Sequence, residues 1–95
     1  MIKVVARNVA KENKITEVIQ LYKELVGLTR KEEGCIKYEL YQDENDPTII
    51  TMIEEWESRK ALDEHLKSEH FTRIVPKIKK FMTKQTDMNV YNKLI

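Results

Sequence analysis

The order in which two hydrophobic periodicities follow one another constrains the fold of this chain more than any other feature. Four segments alternate apolar with polar residues and are rich in β-branched and aromatic side chains, as expected of strands. Between them, apolar residues recur every three or four positions, as expected of amphipathic helices. The strand segments are residues 2–10, 35–42, 48–57 and 86–95, and the helical segments are residues 11–34, 59–69 and a shorter piece at 70–82. The order β-α-β-β-α-β predicts an α+β, ferredoxin-like fold, in which a four-stranded antiparallel sheet carries its helices on one face.

Local signals predict where these elements begin and end. Asn13 is a candidate N-cap for the first helix and Ser58 for the second, since both side chains can accept a backbone hydrogen bond. Gly34 is expected to end the first helix in the left-handed conformation. Pro76 is expected to break or kink the last helical piece. The polar turn at residues 43–47 predicts an antiparallel hairpin of the second and third strands.

Both faces of the predicted sheet carry apolar side chains, although the helices can cover only one. Val5 opposes Val4 across the first strand, and Ile53 opposes Trp56 across the third. With 95 residues the chain forms a single domain over residues 1–95. A sheet face open to water would be more polar, so we expect an identical chain to pack against it in a homodimer.

Composition excludes several classes of partner. Charged residues make up 35% of the chain, but acids and bases alternate and the net charge is +1, so a basic nucleic-acid-binding surface is not expected. The lysine-rich residues 76–84 are expected to be the hydrated side of a helix. No apolar run is long enough to span a membrane. The single cysteine, Cys35, is typical of a protein in a reducing compartment, and we expect a cytoplasmic location.

The one tryptophan and both histidines lie within residues 54–71. Trp56 ends the third strand, where packing is the ordinary role of an aromatic residue. His65 lies on the apolar stripe of the second helix, either as a core residue or as a neutral imidazole that exchanges a proton near pH 7. Glu69, four residues on, could orient its ring. His70, five residues on, is expected to point away from His65, so no metal site is expected.

Three other residues could contribute to a site. Asn8 places an amide in a hydrophobic strand, where it must be hydrogen-bonded, either as a structural pin or as a ligand contact. Tyr38 is expected to pack on the sheet or to reach a ligand. Cys35 has no base beside it in the sequence and is more typical of a small buried side chain than of a nucleophile.

Residues 29–71 carry a set of motifs that resembles the antibiotic biosynthesis monooxygenase family of small dimeric α+β barrel proteins, including its quinol monooxygenase-like members. The shared motifs are a Gly-Cys pair after the first helix, a nearby aromatic residue, Glu-x-Trp, and a helix with Ala-Leu, His, Ser and His-Phe. In this chain they are Gly34-Cys35, Tyr38, Glu54-Glu55-Trp56, Ala61-Leu62, His65, Ser68 and His70-Phe71. Glu33 stands before the glycine, where the family commonly has proline.

The resemblance implies a homodimer whose two sheets face each other as a dimeric α/β barrel, with a cavity between sheet and helices in each protomer. Many family members oxygenate phenolic or quinol-type substrates with O2, without flavin, haem or metal. By resemblance, His65 is the expected base, and Trp56 and Asn8 are the expected donors to developing negative charge. Trp56 and His65 are predicted to line one cavity. The expected substrate-binding residues are Tyr38, Met52, His70 and Phe71.

Other functions stay open at this point. The chain could be a non-catalytic barrel that binds a small ligand, because fold does not fix function. Haem-degrading relatives share part of the pattern but have a haem-ligating histidine where this chain has Val75. An isomerase of small phosphorylated sugar derivatives would need cationic groups in the cavity, and Arg7 and Arg73 are the only candidate arginines.

Overall fold

A computed structural model describes all of residues 1–95. Its elements are β1 (Ile2–Val9), α1 (Ile15–Thr29), β2 (Cys35–Gln42), β3 (Ile49–Trp56), α2 (Arg59–Lys67), α3 (Glu69–Lys79) and β4 (Asp87–Asn92), with a 3₁₀ turn over Glu12–Lys14. The strands form one antiparallel sheet in the order β2-β3-β1-β4. The ferredoxin-like α+β arrangement and the β2–β3 hairpin are confirmed. No helix combines the length and the apolar character that crossing a membrane would require.

One face of the sheet is buried beneath the helices and holds the core. In β1 and β3 the even-numbered side chains point to this face, and antiparallel pairing sets Ile2 opposite Trp56 and Asn8 opposite Ile50. Asn8 and Trp56 therefore lie on this buried face. Tyr38, from β2, is buried there with them.

The opposite, outer face of the sheet has no helix over it and is partly apolar. Val5 and Ile53 are paired near its middle and are only half-buried. Tyr41 and Tyr91 lie on the strands at the two edges, with 52% and 50% of their surface exposed. The chain alone thus leaves aromatic and aliphatic surface in contact with water.

Of the two predicted N-caps, the structure confirms one. The Ser58 hydroxyl accepts a hydrogen bond from the Ala61 N–H at 3.1 Å, so the predicted cap of α2 is confirmed. Asn13 caps nothing, because it lies within the 3₁₀ turn before α1. Gly34 does have a left-handed φ of 86°, but it lies in the turn into β2, five residues after α1 ends. A Cβ at Gly34 would also lie 2.6 Å from the Ala61 Cβ. Both the left-handed backbone and the lack of space therefore favour glycine in this turn.

The joint between α2 and α3 lies at Ser68. This residue is the C-cap of one helix and the N-cap of the next, with an extended backbone (φ −62°, ψ 154°). Its hydroxyl donates to the His65 carbonyl at 2.7 Å and accepts from the Phe71 N–H at 3.3 Å. The predicted break at Pro76 is wrong, because α3 continues through Pro76 to Lys79. One serine therefore sets the direction in which the first residues of α3 point.

Candidate active site

A cavity of about 290 Å³ lies between the buried sheet face and the helices. Most of its sixteen lining residues are hydrophobic, with a few polar groups among them. The lining residues are Ala6, Asn8, Tyr22, Leu25, Tyr38, Met52, Glu54, Leu62, His65, Leu66, Phe71, Val75, Lys79, Gln85, Thr86 and Met88. Small-molecule sites are typically concave and mainly apolar, with volumes from about 300 Å³ upward, so this cavity suits a compact ligand.

His65 lines this cavity and has one ring nitrogen without a hydrogen-bond partner. Its side chain is 99% buried, and its Nδ1 lies 2.7 Å from Glu32 Oε2. Its Nε2 is buried and has no hydrogen-bond partner. His65 lines the cavity and Glu32 does not, so Nε2 is the nitrogen left for a bound molecule. Burial lowers the pKa of His65, against the opposing effect of Glu32, and favours the neutral ring.

His70 contacts the same carboxylate oxygen as His65. Its Nε2 is 2.7 Å from Glu32 Oε2, and its ring centroid is 6.2 Å from that of His65. The prediction that His70 points away from His65 is wrong, because it assumed an unbroken helix and the joint at Ser68 redirects the chain. Glu69 does not orient His65 either, since its carboxylate pairs with Arg73 at 2.7 Å. Glu32, from the turn after α1, takes that position.

The group of Glu32, His65 and His70 is called the triad below. Its donor atoms lie within 4.8 Å of one another, and imidazole and carboxylate are zinc ligands. The sequence offered no third ligand beside the histidines, and Glu32 removes that argument against a metal. Donors around one tetrahedral zinc ion lie roughly 3.3–3.5 Å apart, since each bond is about 2.0–2.1 Å. The two contacts of 2.7 Å are instead hydrogen-bond distances, which fit a carboxylate that accepts from both rings.

Trp56 supports His65 but does not line the cavity. It is fully buried, and its ring packs on that of His65 with centroids 4.7 Å apart. Its Nε1–H donates to Glu54 Oε1 at 2.9 Å, so this donor is already occupied. Trp56 and His65 lie on the same side of the sheet, as predicted. Of the two, only His65 lines the cavity, because Glu54, two residues before Trp56 on β3, occupies the lining position.

Glu54 is the site residue whose importance the sequence analysis missed. Its side chain is buried and its carboxylate has no cationic partner, only the hydrogen bond from Trp56. Burial raises the pKa of Glu54 to about 7, and the Trp56 hydrogen bond acts against this shift. Near neutral pH the group therefore exists in both protonation states and can give or take a proton. An acidic residue with the strand parity of Trp56 was the signal that could have revealed it.

Asn8 is both a structural pin and a cavity wall. Its amide donates to the Tyr22 hydroxyl at 3.1 Å, and its carbonyl oxygen accepts from the Thr86 hydroxyl. Burial raises the pKa of the Tyr22 and Tyr38 hydroxyls, so both phenols stay protonated at neutral pH. Tyr38 also packs edge-on against His65, with ring centroids 5.2 Å apart.

The other predicted residues are distributed as follows. Met52 and Phe71 line the cavity, and Phe71 packs edge-on against His65 at a centroid distance of 5.0 Å. His70 does not line the cavity. Val75 does, and it presents an aliphatic side chain at the position of the haem ligand in haem-degrading relatives. Burial raises the pKa of Cys35 to about 11, so its thiol is not poised as a nucleophile.

Neither arginine considered for phosphate binding reaches the cavity. Arg73 pairs with Glu24 at 2.9 Å and with Glu69, and Arg7 points to the outer face of the sheet. Lys79 is the one cationic residue in the cavity lining. A phosphorylated ligand would therefore find little of the charge that it needs.

Comparison with known proteins identifies the family and agrees with the fold. Residues 1–77 match the family model described as antibiotic biosynthesis monooxygenase. The crystal structure of a conserved protein from Methanosarcina mazei is 44% identical, with a TM-score of 0.97 over 98% of this chain and 92% of that one. A crystal structure of an antibiotic biosynthesis monooxygenase is 40% identical, with a TM-score of 0.96 over the whole of both chains.

Curated relatives are more distant in sequence. The Synechocystis protein sll1783 is 34% identical over 89 residues, which are 93% of this chain but 60% of that protein. Rv0793 of Mycobacterium tuberculosis, which carries a provisional monooxygenase name, is 28% identical over 92% of this chain and 85% of its own length. The family model covers the sheet strands β1 to β3 and all but the end of the helical layer, and the solved structures superpose throughout. This chain belongs to the antibiotic biosynthesis monooxygenase family.

Proposed function

We propose that this chain is a cofactor-independent monooxygenase that oxidises a small phenolic or quinol-type substrate with O2. The observation that carries the proposal is the His65 Nε2, an unpartnered and buried nitrogen beside a mainly apolar cavity. Membership of a family whose relatives bear monooxygenase names supports the reaction class. The cavity volume of about 290 Å³ favours a substrate of one or two rings.

The proposed reaction begins with proton transfer from a substrate phenol to His65 Nε2, which leaves a phenolate and an imidazolium. The electron-rich phenolate reduces O2 by one electron, and the superoxide and ring radical then combine to form a C–O bond. Loss of the ring C–H proton breaks the O–O bond and gives a quinone. The distal oxygen leaves as water, with the phenolic and C–H protons on it. Substrate is thus the only reductant that the step requires.

Residues around the cavity divide the remaining tasks. The apolar walls keep water from the phenolate and the radical pair. Tyr38 and Phe71 set aromatic edges beside His65, where a ring substrate would lie. We assign to Glu54 the relay of the ring C–H proton to the departing oxygen, since both of its protonation states are present near pH 7.

A second candidate is a barrel that binds a small ligand without turnover. It is favoured by the finding that Trp56 Nε1–H and the Asn8 amide are already hydrogen-bonded within the protein. The haem-degrading and isomerase alternatives have less support, given Val75 in the cavity wall and Arg7 and Arg73 outside the cavity lining.

The experiment compares oxygen consumption by a panel of quinols and naphthols, aerobically and anaerobically, against the autoxidation blank. The wild-type protein should consume O2 and release quinone in equal amounts. His65→Gln should be slower by roughly 10²-fold or more, with an unchanged thermal melt. Glu64→Gln, an exposed neighbour on α2, is the matched control and should retain full activity. Saturable binding without O2 uptake would favour the second candidate, and full activity in His65→Gln would remove the base.

We also propose that the functional unit is a homodimer in the cytoplasm, with the outer sheet faces packed against each other. The half-exposed Tyr41 and Tyr91 and the half-buried Val5 and Ile53 support this arrangement. The single, partly buried Cys35 is consistent with a reducing compartment.

A further inference from the structure

We propose that Glu32 and His70 are positioning residues for His65: Glu32 fixes the tautomer of His65 and balances its charge, and His70 holds the Glu32 carboxylate in place. This inference rests on the proposed function, because it concerns the base of that reaction. It adds two residues that do not line the cavity and that act from the other side of the histidine.

The tautomer follows from the hydrogen bonds. A neutral imidazole carries its proton on one nitrogen, and a carboxylate can only accept. With Glu32 Oε2 at 2.7 Å from His65 Nδ1, the proton lies on Nδ1 and the lone pair on Nε2. The other tautomer would carry its proton on Nε2, so that nitrogen could not take a proton from the substrate. A carboxylate that selects the useful tautomer of a catalytic histidine is the role of the aspartate in serine-protease triads.

The charge follows from burial. His65 lies among the neutral rings of Tyr38, Trp56 and Phe71, where an imidazolium would be poorly solvated. Glu32 and His70 are the titratable groups that act on the pKa of His65. Four other titratable groups share its cavity lining: Tyr22, Tyr38, Glu54 and Lys79. Of these, Glu32 is the one in hydrogen-bond contact that can offset a positive charge at the moment when the phenol is deprotonated.

His70 restrains the carboxylate itself. Glu32 lies in an irregular turn and makes no ion pair with lysine or arginine, so its side chain is held only by the two histidines. His70 Nε2 contacts the same oxygen that His65 contacts. Both the Glu32 and the His70 side chains are about 15% exposed, so the outer end of the triad meets solvent while its inner end stays dry.

The first test measures kcat, KM and the pH–rate profile of Glu32→Gln against Glu33→Gln, which makes the same chemical change at the exposed neighbouring residue. We expect Glu32→Gln to lower kcat by on the order of 10²-fold with little change in KM. Because Glu32 raises the pKa of His65, its neutralisation should move the acidic limb of the profile to lower pH. Glu33→Gln should match the wild type in both respects.

The second test asks whether His70 acts through its hydrogen bond to Glu32. His70→Gln keeps an N–H that can donate to Glu32, whereas His70→Ala does not. We expect about a tenfold loss of kcat in His70→Ala, since the retained Glu32–His65 bond is only loosened, and substantial recovery in His70→Gln. A loss that is equal in both variants would overturn the role given to His70.

A third measurement does not depend on turnover. Nitrogen-15 NMR of the His65 ring should show a protonated Nδ1 and a bare Nε2 in the wild type, and a lower pKa in Glu32→Gln. If the protein oxidises no quinol but these signals behave as expected, the proposed function fails and the positioning role stands. Unchanged His65 signals in Glu32→Gln would overturn the inference. So would one zinc ion per chain in purified protein, lost in Glu32→Gln, since the triad would then be a metal site.

Discussion

At the scale of single residues, Glu54 is unusual because it is a buried carboxyl group without a cationic partner. A carboxyl group with 6% of its surface exposed lies on the core face of the sheet, and only Trp56 donates to it. Charged side chains are rarely buried without a partner of opposite charge. The protein therefore holds a group in its core that is stable when protonated and costly when ionised.

This gives a prediction for the pH dependence of stability. The pKa of Glu54 rises from its ordinary value of 4.5 to about 7 on folding. Between these values the folded state binds more protons than the unfolded state, so stability falls as pH rises. Glu54→Gln keeps the shape and the acceptor for Trp56 but cannot ionise. We expect equal stability near pH 4 and a variant more stable by roughly 3 kcal/mol at pH 8.

Urea denaturation of the wild type and Glu54→Gln at several pH values measures this difference. Taking the difference between the two proteins cancels the opposite contribution of His65, whose lowered pKa weakens the fold as pH falls below 6.5. A difference that stays constant from pH 4 to pH 8 would show that Glu54 is not the titrating group.

The sequence predicts which residues enter the core better than it predicts which polar groups meet there. Strand parity places Asn8, Met52 and Trp56 on the buried face, and the helical stripe does the same for His65, because both signals are local. Glu32 lies in a turn with no periodicity, and its contact with His65 spans 33 residues of chain. No local pattern could have indicated that bond.

At the scale of elements, the joint at Ser68 links the helical layer to the site. The residue ends α2 and starts α3, and its hydroxyl bonds to a group in each helix. His65 stands three residues before it and His70 two residues after it. The position of both rings relative to Glu32 therefore depends on the angle that this one residue sets.

Ser68→Ala should separate stability from positioning when it is compared with Ser58→Ala. Each substitution removes a helix N-cap, so each should lower the free energy of unfolding by about 1 kcal/mol. Only the change at Ser68 disturbs the joint, so we expect it alone to alter the His65 ring signals and to lower quinol turnover. Denaturation and NMR of the two variants provide the check. Identical His65 spectra in both would show that the joint is held by packing alone.

Local capping and turn chemistry predicts some boundaries and not others. Ser58 caps as expected because its side chain needs only the next three residues. Pro76 does not end α3, although a proline inside a helix costs about 3 kcal/mol. Ile74 and Ile78, on either side of it, are both nearly fully buried, and their packing stabilises the helix that the proline disfavours. Such tertiary compensation is invisible in a local pattern.

At the scale of the whole molecule, the outer sheet face bears on whether the chain is a monomer or a homodimer. The order of strands and helices was enough to predict the ferredoxin-like fold, because the two periodicities permit few other arrangements. The second chain that we propose over the outer face would bring contacts between chains, which the sequence pattern of one chain does not encode locally. Its support remains the apolar side chains that the helices leave uncovered.

We expect the wild type to scatter light at micromolar concentration with twice the 11.3 kDa chain mass. Ile53→Glu places a charge at the centre of the outer face and should shift the population to monomer, because a buried unpaired carboxylate is costly. Lys67→Glu introduces the same carboxylate on the exposed side of α2 and should remain dimeric. A folded wild-type monomer at this concentration would refute the homodimer.

The cavity is built from two kinds of wall, and this division bears on how such a protein can diversify. The polar groups Asn8, Glu54 and His65 are each tied to another residue by a hydrogen bond. The aliphatic walls, including Leu62 and Val75, are tied to nothing of that kind. Substitutions in the aliphatic walls can reshape the space for a new substrate while the proton-handling groups keep their partners. Substrate range and reaction chemistry can therefore evolve on separate sets of positions within one small domain.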